Sequence, residues 1–194
     1  MTSHKFLAGF AVLMLSVSGV AIAHADTPAE KAAEAQHDSK HDAGKNDKAN
    51  SKMTRKFIED ASAAGMFEVE SSKIALERST NAKVKEFAQQ MVDDHTKADE
   101  KMKAAVSDDQ KQYLSTTESE KQVEEIEDLK KEDAKDFDKA YVKAQVKAHD
   151  EAVKLFKKYS EKGDDAELKD FAATTLPTLQ HHKTMIDDIH SSMK

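Results

Sequence analysis

Residues 84–105 read VKEFAQQMVDDHTKADEKMKAA. Within them Val84, Ala88, Met91, His95, Ala98, Met102 and Ala105 recur at alternating steps of four and three. That spacing lines one stripe of an α-helix and is the seam of a bundle helix. Asn81 stands just before it as an N-cap. Strand-like alternation is missing, while Ala, Lys, Glu, Gln and Met, all good helix formers, are abundant.

Working outward, three more helices are expected, lettered A to D in chain order with this one as B. Helix A spans about Met53 to Arg78. Its inward stripe is Phe57, Ala61, Ala64, Glu68, Ser72 and Ala75, flanked by Ile58, Gly65, Val69 and Leu76. Small residues dominate there, so a neighbour can approach closely. Helix C runs from near Asp133 to Gly163, a suitable C′ residue. One of its faces carries Phe137, Tyr141, Ala144, Ala148 and Leu155. The adjacent one carries Asp138, Val142, Gln145, His149, Ala152 and Phe156. Helix D opens at Asp164-Asp165-Ala166-Glu167 in a capping-box-like pattern. Leu168, Ala172, Thr175, Leu179, His182, Ile186 and Ile189 form its stripe. Pro177 is expected to kink it.

The A–B and C–D connections are only a few residues long, so each pair is an antiparallel hairpin. The B–C connection, about Ser107–Glu132, is long enough to return along the bundle. Val123, Ile126 and Leu129 give it a thin apolar stripe, compatible with a short helix. Between Glu118 and Asp136 it holds nine acidic and four basic residues, read as a solvated face, with an acidic docking surface as the lesser reading.

The rest of the chain is different. Residues 1–25 resemble a secretory signal: Lys5, the apolar run Phe6–Val20, then Ala23-His24-Ala25 as a small-x-small cleavage site. The run is short for a bilayer span, so no transmembrane segment is expected after cleavage. Without cysteine, no lipid anchor of the lipoprotein kind is expected, and no disulfide supports the fold. Residues 26–52 contain no Val, Ile, Leu, Met, Phe, Tyr or Trp and read as a disordered polar linker. His37 and His41 lie in it, too weakly arranged for more than metal scavenging. Residues 53–194 are then one domain. With Lys5 removed, 29 basic and 37 acidic residues leave 29 − 37 = −8, which excludes nucleic acid as a natural partner.

Four polar residues fall on the inward stripes: Glu68, His95, His149 and His182. At about 1.5 Å rise per residue, Glu68 and His95 both stand roughly 20 Å from the turn that joins their helices. His149 and His182 also fall near mid-height. A polar group in a core is costly unless satisfied. Three readings follow. Three imidazoles and a carboxylate suit one divalent transition metal ion: zinc, copper, iron or nickel. Alternatively they form a buried hydrogen-bond network that sets helix register. Alternatively the histidines are partly exposed at helix seams with no joint role. Asp94 is read first as a solvated carboxylate, with an outer group orienting His95 as the lesser reading, and Asp138 is a second candidate outer group from a neighbouring layer. Met91 and Met102 are read as core filling. His181 is read as exposed. No nucleophile elbow, phosphate loop, cysteine motif or HExxH is present, so no catalytic residue is assigned. A redox enzyme would need an open coordination position, which spacing alone does not display.

The stretch Phe57 through Glu68-Val-Glu70, then Val84-Lys-Glu-Phe-Ala88 and Met91-Val-Asp-Asp-His95, resembles the bacterial domain of unknown function DUF4142. Phe137-Asp138-x-x-Tyr141, Lys147-Ala-His149, Phe171-Ala172 and Leu176-Pro-Thr-Leu179-x-x-His182 continue the likeness. The resemblance implies an all-α, ferritin-like antiparallel four-helix bundle with a long B–C crossover. It also implies an outer-membrane or secreted protein, so with the signal the expected place is the periplasm or outer membrane; an envelope protein is the partner expected if the acidic surface is the working part. A di-iron site of the ferritin kind needs Glu-x-x-His on two helices. Here Val92 and Leu179 occupy those carboxylate positions, so di-iron chemistry is not expected. The functional expectation is metal handling or stress response in the envelope, or a non-catalytic structural role in which the cluster only specifies packing.

Overall fold

The structure, a computed structural model, describes residues 51–193. The signal expected over residues 1–25, and His37 and His41, lie outside the described residues. Among the described residues there are five α-helices: α1 (Lys52–Arg78), α2 (Ala82–Ala105), α3 (Glu120–Lys131), α4 (Phe137–Lys162) and α5 (Ala166–Ser192), with a 3-10 turn at Lys111–Tyr113. Among the described residues there is no strand.

Local chemistry sets the helix ends. Ser51 Oγ accepts from Thr54 N at 3.1 Å, so α1 recruits its N-cap from the segment read as linker. Asn81 Oδ1 accepts from Lys83 N at 3.0 Å, as its position indicates. Asp165 Oδ1 accepts from Leu168 N at 3.0 Å. The capping-box expectation is thus met only by its Asp arm. The start of helix C moves: the Asp133 carbonyl accepts from Asp136 N and Phe137 N at 3.0 and 2.9 Å, a turn that delays α4 to Phe137.

Gly163 ends α4 with φ −58 and ψ 144, not in the left-handed region that a C′ glycine commonly adopts. Space is its requirement. A Cβ there would lie 2.6 Å from the Tyr159 carbonyl and 2.7 Å from the Tyr159 ring. The bare glycine lets Tyr159 stack on Phe57 at 4.0 Å and bring its hydroxyl within 2.7 Å of Thr54 Oγ1. Pro177 does not end α5, which continues from Ala166 to Ser192.

The tie between Thr54 and Tyr159 puts the start of α1 beside the end of α4. At the opposite end, the Arg78 guanidinium donates to the carbonyls of Leu129, Lys130 and Glu132 and lies over the Phe137 ring. Hence α1 and α4 are antiparallel. The helices that pack are α1 with α2, α4 with α5, α1 with α4, and α2 with α5. The four long helices therefore run up, down, down, up, and each of these four packed pairs is antiparallel. Because α2 and α4 run the same way, the chain between them must climb the bundle's length. The 3-10 turn and α3 make that climb, and α3 packs on α1 and α4. Ile126 and Leu129 are buried by it, while Val123 remains exposed.

This landing explains why α1 buries more than one stripe. Phe67, Ser71 and Ile74 are buried beside the expected Phe57, Ala61, Glu68, Ser72 and Ala75. Two apolar clusters fill the interior. One centres on Phe67, Phe87, Met91, Phe137, Tyr141 and Ile186; the other centres on Phe57, Met102, Phe156, Phe171 and Leu179. A polar layer lies between them. No helix among the described residues is long and apolar enough to cross a membrane.

Candidate metal centre

The polar layer contains all four sequence-selected residues. Glu68, His95, His149 and His182 retain 2, 8, 0 and 1% of their accessible surface. The reading of histidines exposed at seams is overturned. Each sits on the inward stripe of its helix, where the flanking apolar residues force burial of the whole face.

Three of the four converge. His95 from α2, His149 from α4 and His182 from α5 each offer one ring nitrogen, and these lie within 4.8 Å of one another. Ring centroids are 5.9 Å apart for His95–His149, 5.6 Å for His95–His182 and 5.6 Å for His149–His182. Points no more than 4.8 Å apart share a centre at most about 2.8 Å from each, against about 2.0–2.1 Å for a zinc–imidazole bond. Side-chain shifts of under about 1 Å close that gap.

Hydrogen bonds set two of the tautomers. His149 Nδ1 lies 3.0 Å from the Gln145 carbonyl. A carbonyl only accepts, so Nδ1 carries the hydrogen and Nε2 keeps its lone pair. His182 Nε2 lies 3.1 Å from Asp94 Oδ2. The carboxylate accepts, and the lone pair is left on Nδ1. His149 Nε2, His182 Nδ1 and His95 Nε2 are buried with no hydrogen-bond partner. These are the nitrogens that a metal would take.

Burial favours the neutral form of His95 and His182. Burial, helped by the neighbouring His149 and His182 rings, pushes His95 from 6.5 down to about 3. Burial also lowers His182, against the pull of Asp94. For Asp94, burial opposes the ionised form, but His182, Gln90 and Lys97 hold its carboxyl below the usual range. Neutral imidazoles are the ligand form.

Glu68 stands apart from the converging group. Its Oε1 is 3.6 Å from His149 Nδ1, the ring edge that faces away from the free Nε2. It therefore backs His149 and does not join the three nitrogens. Burial raises its carboxyl, against the opposing pull of His149 and the Gln145 amide. Asp94 is only partly exposed and bonds His182, so it neither orients His95 nor stands wholly in solvent. Residue 94 projects toward α5, and sequence adjacency to His95 gave the wrong partner. Asp138 is not brought in. It lies eleven residues before His149 on α4, about 16 Å along the axis, and no hydrogen bond or ion pair links it to the imidazoles. Met91 and Met102 belong to the two apolar clusters, as filling.

Gln145 was missed as a functional residue. Its carbonyl orients His149, and its amide donates to Ser71 Oγ at 2.9 Å. The available signal was its place one turn before His149 on the same stripe. No curated protein and no solved structure matches the chain. The family model described as Domain of unknown function (DUF4142) matches residues 39–189, well over half of the chain, and the chain belongs to that family.

Proposed function

We propose that this protein holds one divalent transition metal ion on His95, His149 and His182, inside an exported, ferritin-like bundle, and handles that metal in the cell envelope. One observation carries the reading: three buried histidines bring one nitrogen each within 4.8 Å of the others, and each ring has a buried nitrogen without a hydrogen-bond partner. A packing network would pair them, since each buried polar atom left alone costs about 1–3 kcal/mol. A shared ion would satisfy all three. The donor set suits zinc, copper, iron or nickel. His95, His149 and His182 would hold the ion. Asp94 would fix the His182 tautomer, and Glu68 would offset charge behind His149.

The up, down, down, up course with one crossover supports the ferritin-like part. Val92 and Leu179 remove the bridging carboxylates, so the reading is of a single ion and not a di-iron pair. Export, and a place in the periplasm or outer membrane, rests on the sequence of residues 1–25.

The packing reading is favoured by a neighbouring layer. Gln145 bonds Ser71, and the Ser72 and Tyr141 hydroxyls lie 2.9 Å apart, hydrogen bonds that fix helix register while leaving Gln145 Oε1 without a partner. In that reading the protein is structural, and the acidic stretch from Glu118 to Asp136 meets an envelope partner.

Elemental analysis of protein purified without an affinity tag decides between them. Metal above background, and a zinc-dependent rise in stability of about 2.7 kcal/mol at a hundredfold excess over Kd, are expected. Loss of both in His182→Ala is also expected. A native protein without metal and without a response to zinc, copper or iron leaves only the packing role.

A further inference from the structure

We infer that the fourth coordination position of this centre opens toward α1, into a small cavity that admits an exogenous oxygen or nitrogen ligand of one to three heavy atoms. The inference rests on the metal reading above and extends it to what the ion would bind. Three of the four main helices supply imidazoles. At the same level α1 supplies no ring, only Glu68 and the small residues Ala64 and Gly65.

A 40 Å³ cavity lies there, bounded by Gly65, Glu68, His95, Ala98, Ala152 and Leu179 among others. A single water needs roughly 10–15 Å³ of such space, so about three fit. Ala98 and Ala152 come three residues after His95 and His149, and Leu179 three before His182. Because α2 and α4 run opposite to α5, these offsets all point toward the same end of the bundle. The cavity is thus one turn below the ligand layer, roofed by His95 and Glu68. A Cβ placed on Gly65 meets nothing within 4 Å, so this wall is open.

Glu68 supplies the second, independent sign of a ligand. It is 2% exposed, and its Oε2 is buried with no partner. A buried carboxyl in that state is left to pair with whatever enters: it accepts from an O–H or N–H, or donates to an anion such as azide when it carries its proton. A metal ion with three protein ligands commonly keeps its fourth place for water or substrate. Phe156, Phe171 and Leu179 close the remaining wall and restrict entry to small molecules. Water is the resting occupant, and peroxide- or azide-sized ligands are the class that displaces it.

The test uses cobalt(II) and azide on the full chain, with cobalt uptake and azide response read separately. Wild-type protein is expected to take up one cobalt with an intense four-coordinate visible spectrum, which azide then shifts saturably. Gly65→Leu places a side chain in the cavity. It should keep its cobalt and bind azide weaker by roughly tenfold or more, through the clash it builds against the ligand. Gly65→Ala, the milder filling, should weaken azide by less and covers the case in which the leucine variant does not fold. A cobalt-loaded protein blind to azide overturns the pocket and leaves the metal site standing. Azide titrations unchanged in the Gly65 variants do the same. Failure of wild-type protein to take up cobalt overturns the metal reading and the pocket together.

Discussion

Acid should weaken the metal-free bundle through His95, and the size of the effect follows from its burial. In the unfolded chain a histidine titrates near 6.5. In the fold His95 is pushed down to about 3, first by burial and then by the adjacent imidazoles. Between these values the unfolded chain binds a proton that the folded chain refuses. Stability from a neutral His95 is therefore fully present above pH 6.5 and is lost as pH falls toward 3. Each pH unit in that window is about 1.4 kcal/mol. Going from pH 7 to 4.5 should remove about 2–3 kcal/mol at this residue.

Glu68 works in the opposite sense, because its raised carboxyl holds a proton more firmly in the fold. Its contribution cancels when two variants that share it are compared. The assay is urea unfolding followed by circular dichroism, on chelator-treated wild type and His95→Gln. The cost of His95→Gln at pH 7 should shrink by about 2–3 kcal/mol at pH 4.5. With a slope of about 2 kcal/mol per molar urea, the gap between midpoints closes by about 1 M or slightly more. An identical cost at both pH values would refute the account of a buried, neutral His95.

Three other outcomes follow from particular contacts. Asp94→Ala removes the acceptor that fixes the His182 tautomer and should weaken zinc binding about 10–100-fold by calorimetry, with the fold retained. Gly163→Ala drives a Cβ into the Tyr159 carbonyl and ring and should lower stability by about 1–3 kcal/mol in thermal unfolding; an unchanged midpoint would show that the α4 terminus shifts freely. Pro177 offers no N–H to the Ala173 carbonyl inside α5, so Pro177→Ala should raise stability by up to about 3 kcal/mol, and a lower midpoint would contradict this.

Much of the fold was legible because helices announce themselves locally. The four–three spacing around His95, the cap at Asn81 and the Leu168–Ile189 stripe all reappear as α2 and α5. Periodicity also selected the three histidines, since a polar residue on an apolar stripe must go inside with its neighbours. Sequence could not say how the two faces of α4 share the core. Phe137 and Tyr141 of one are buried together with Val142, Gln145, His149, Ala152 and Phe156 of the other. Nor could it foresee Phe67 and Ile74 as core, because what covers them arrives through the crossover from far along the chain.

By itself, the sequence determined an all-α domain, the cap at Asn81, the height of the polar layer and the absence of bridging carboxylates at Val92 and Leu179. Those properties depend on backbone periodicity and residue chemistry within one helix at a time. The tertiary structure alone decided that Asp94 meets His182, that Glu68 backs His149, that Asp138 stays outside, and that one nitrogen of each of three rings comes within 4.8 Å of the others. Those depend on how helices are rotated and staggered against one another. A helix turned by about 20° carries a ring nitrogen roughly 6 Å from its axis through about 2 Å, the length of a metal–ligand bond. The interlocking of the two apolar clusters sets that angle.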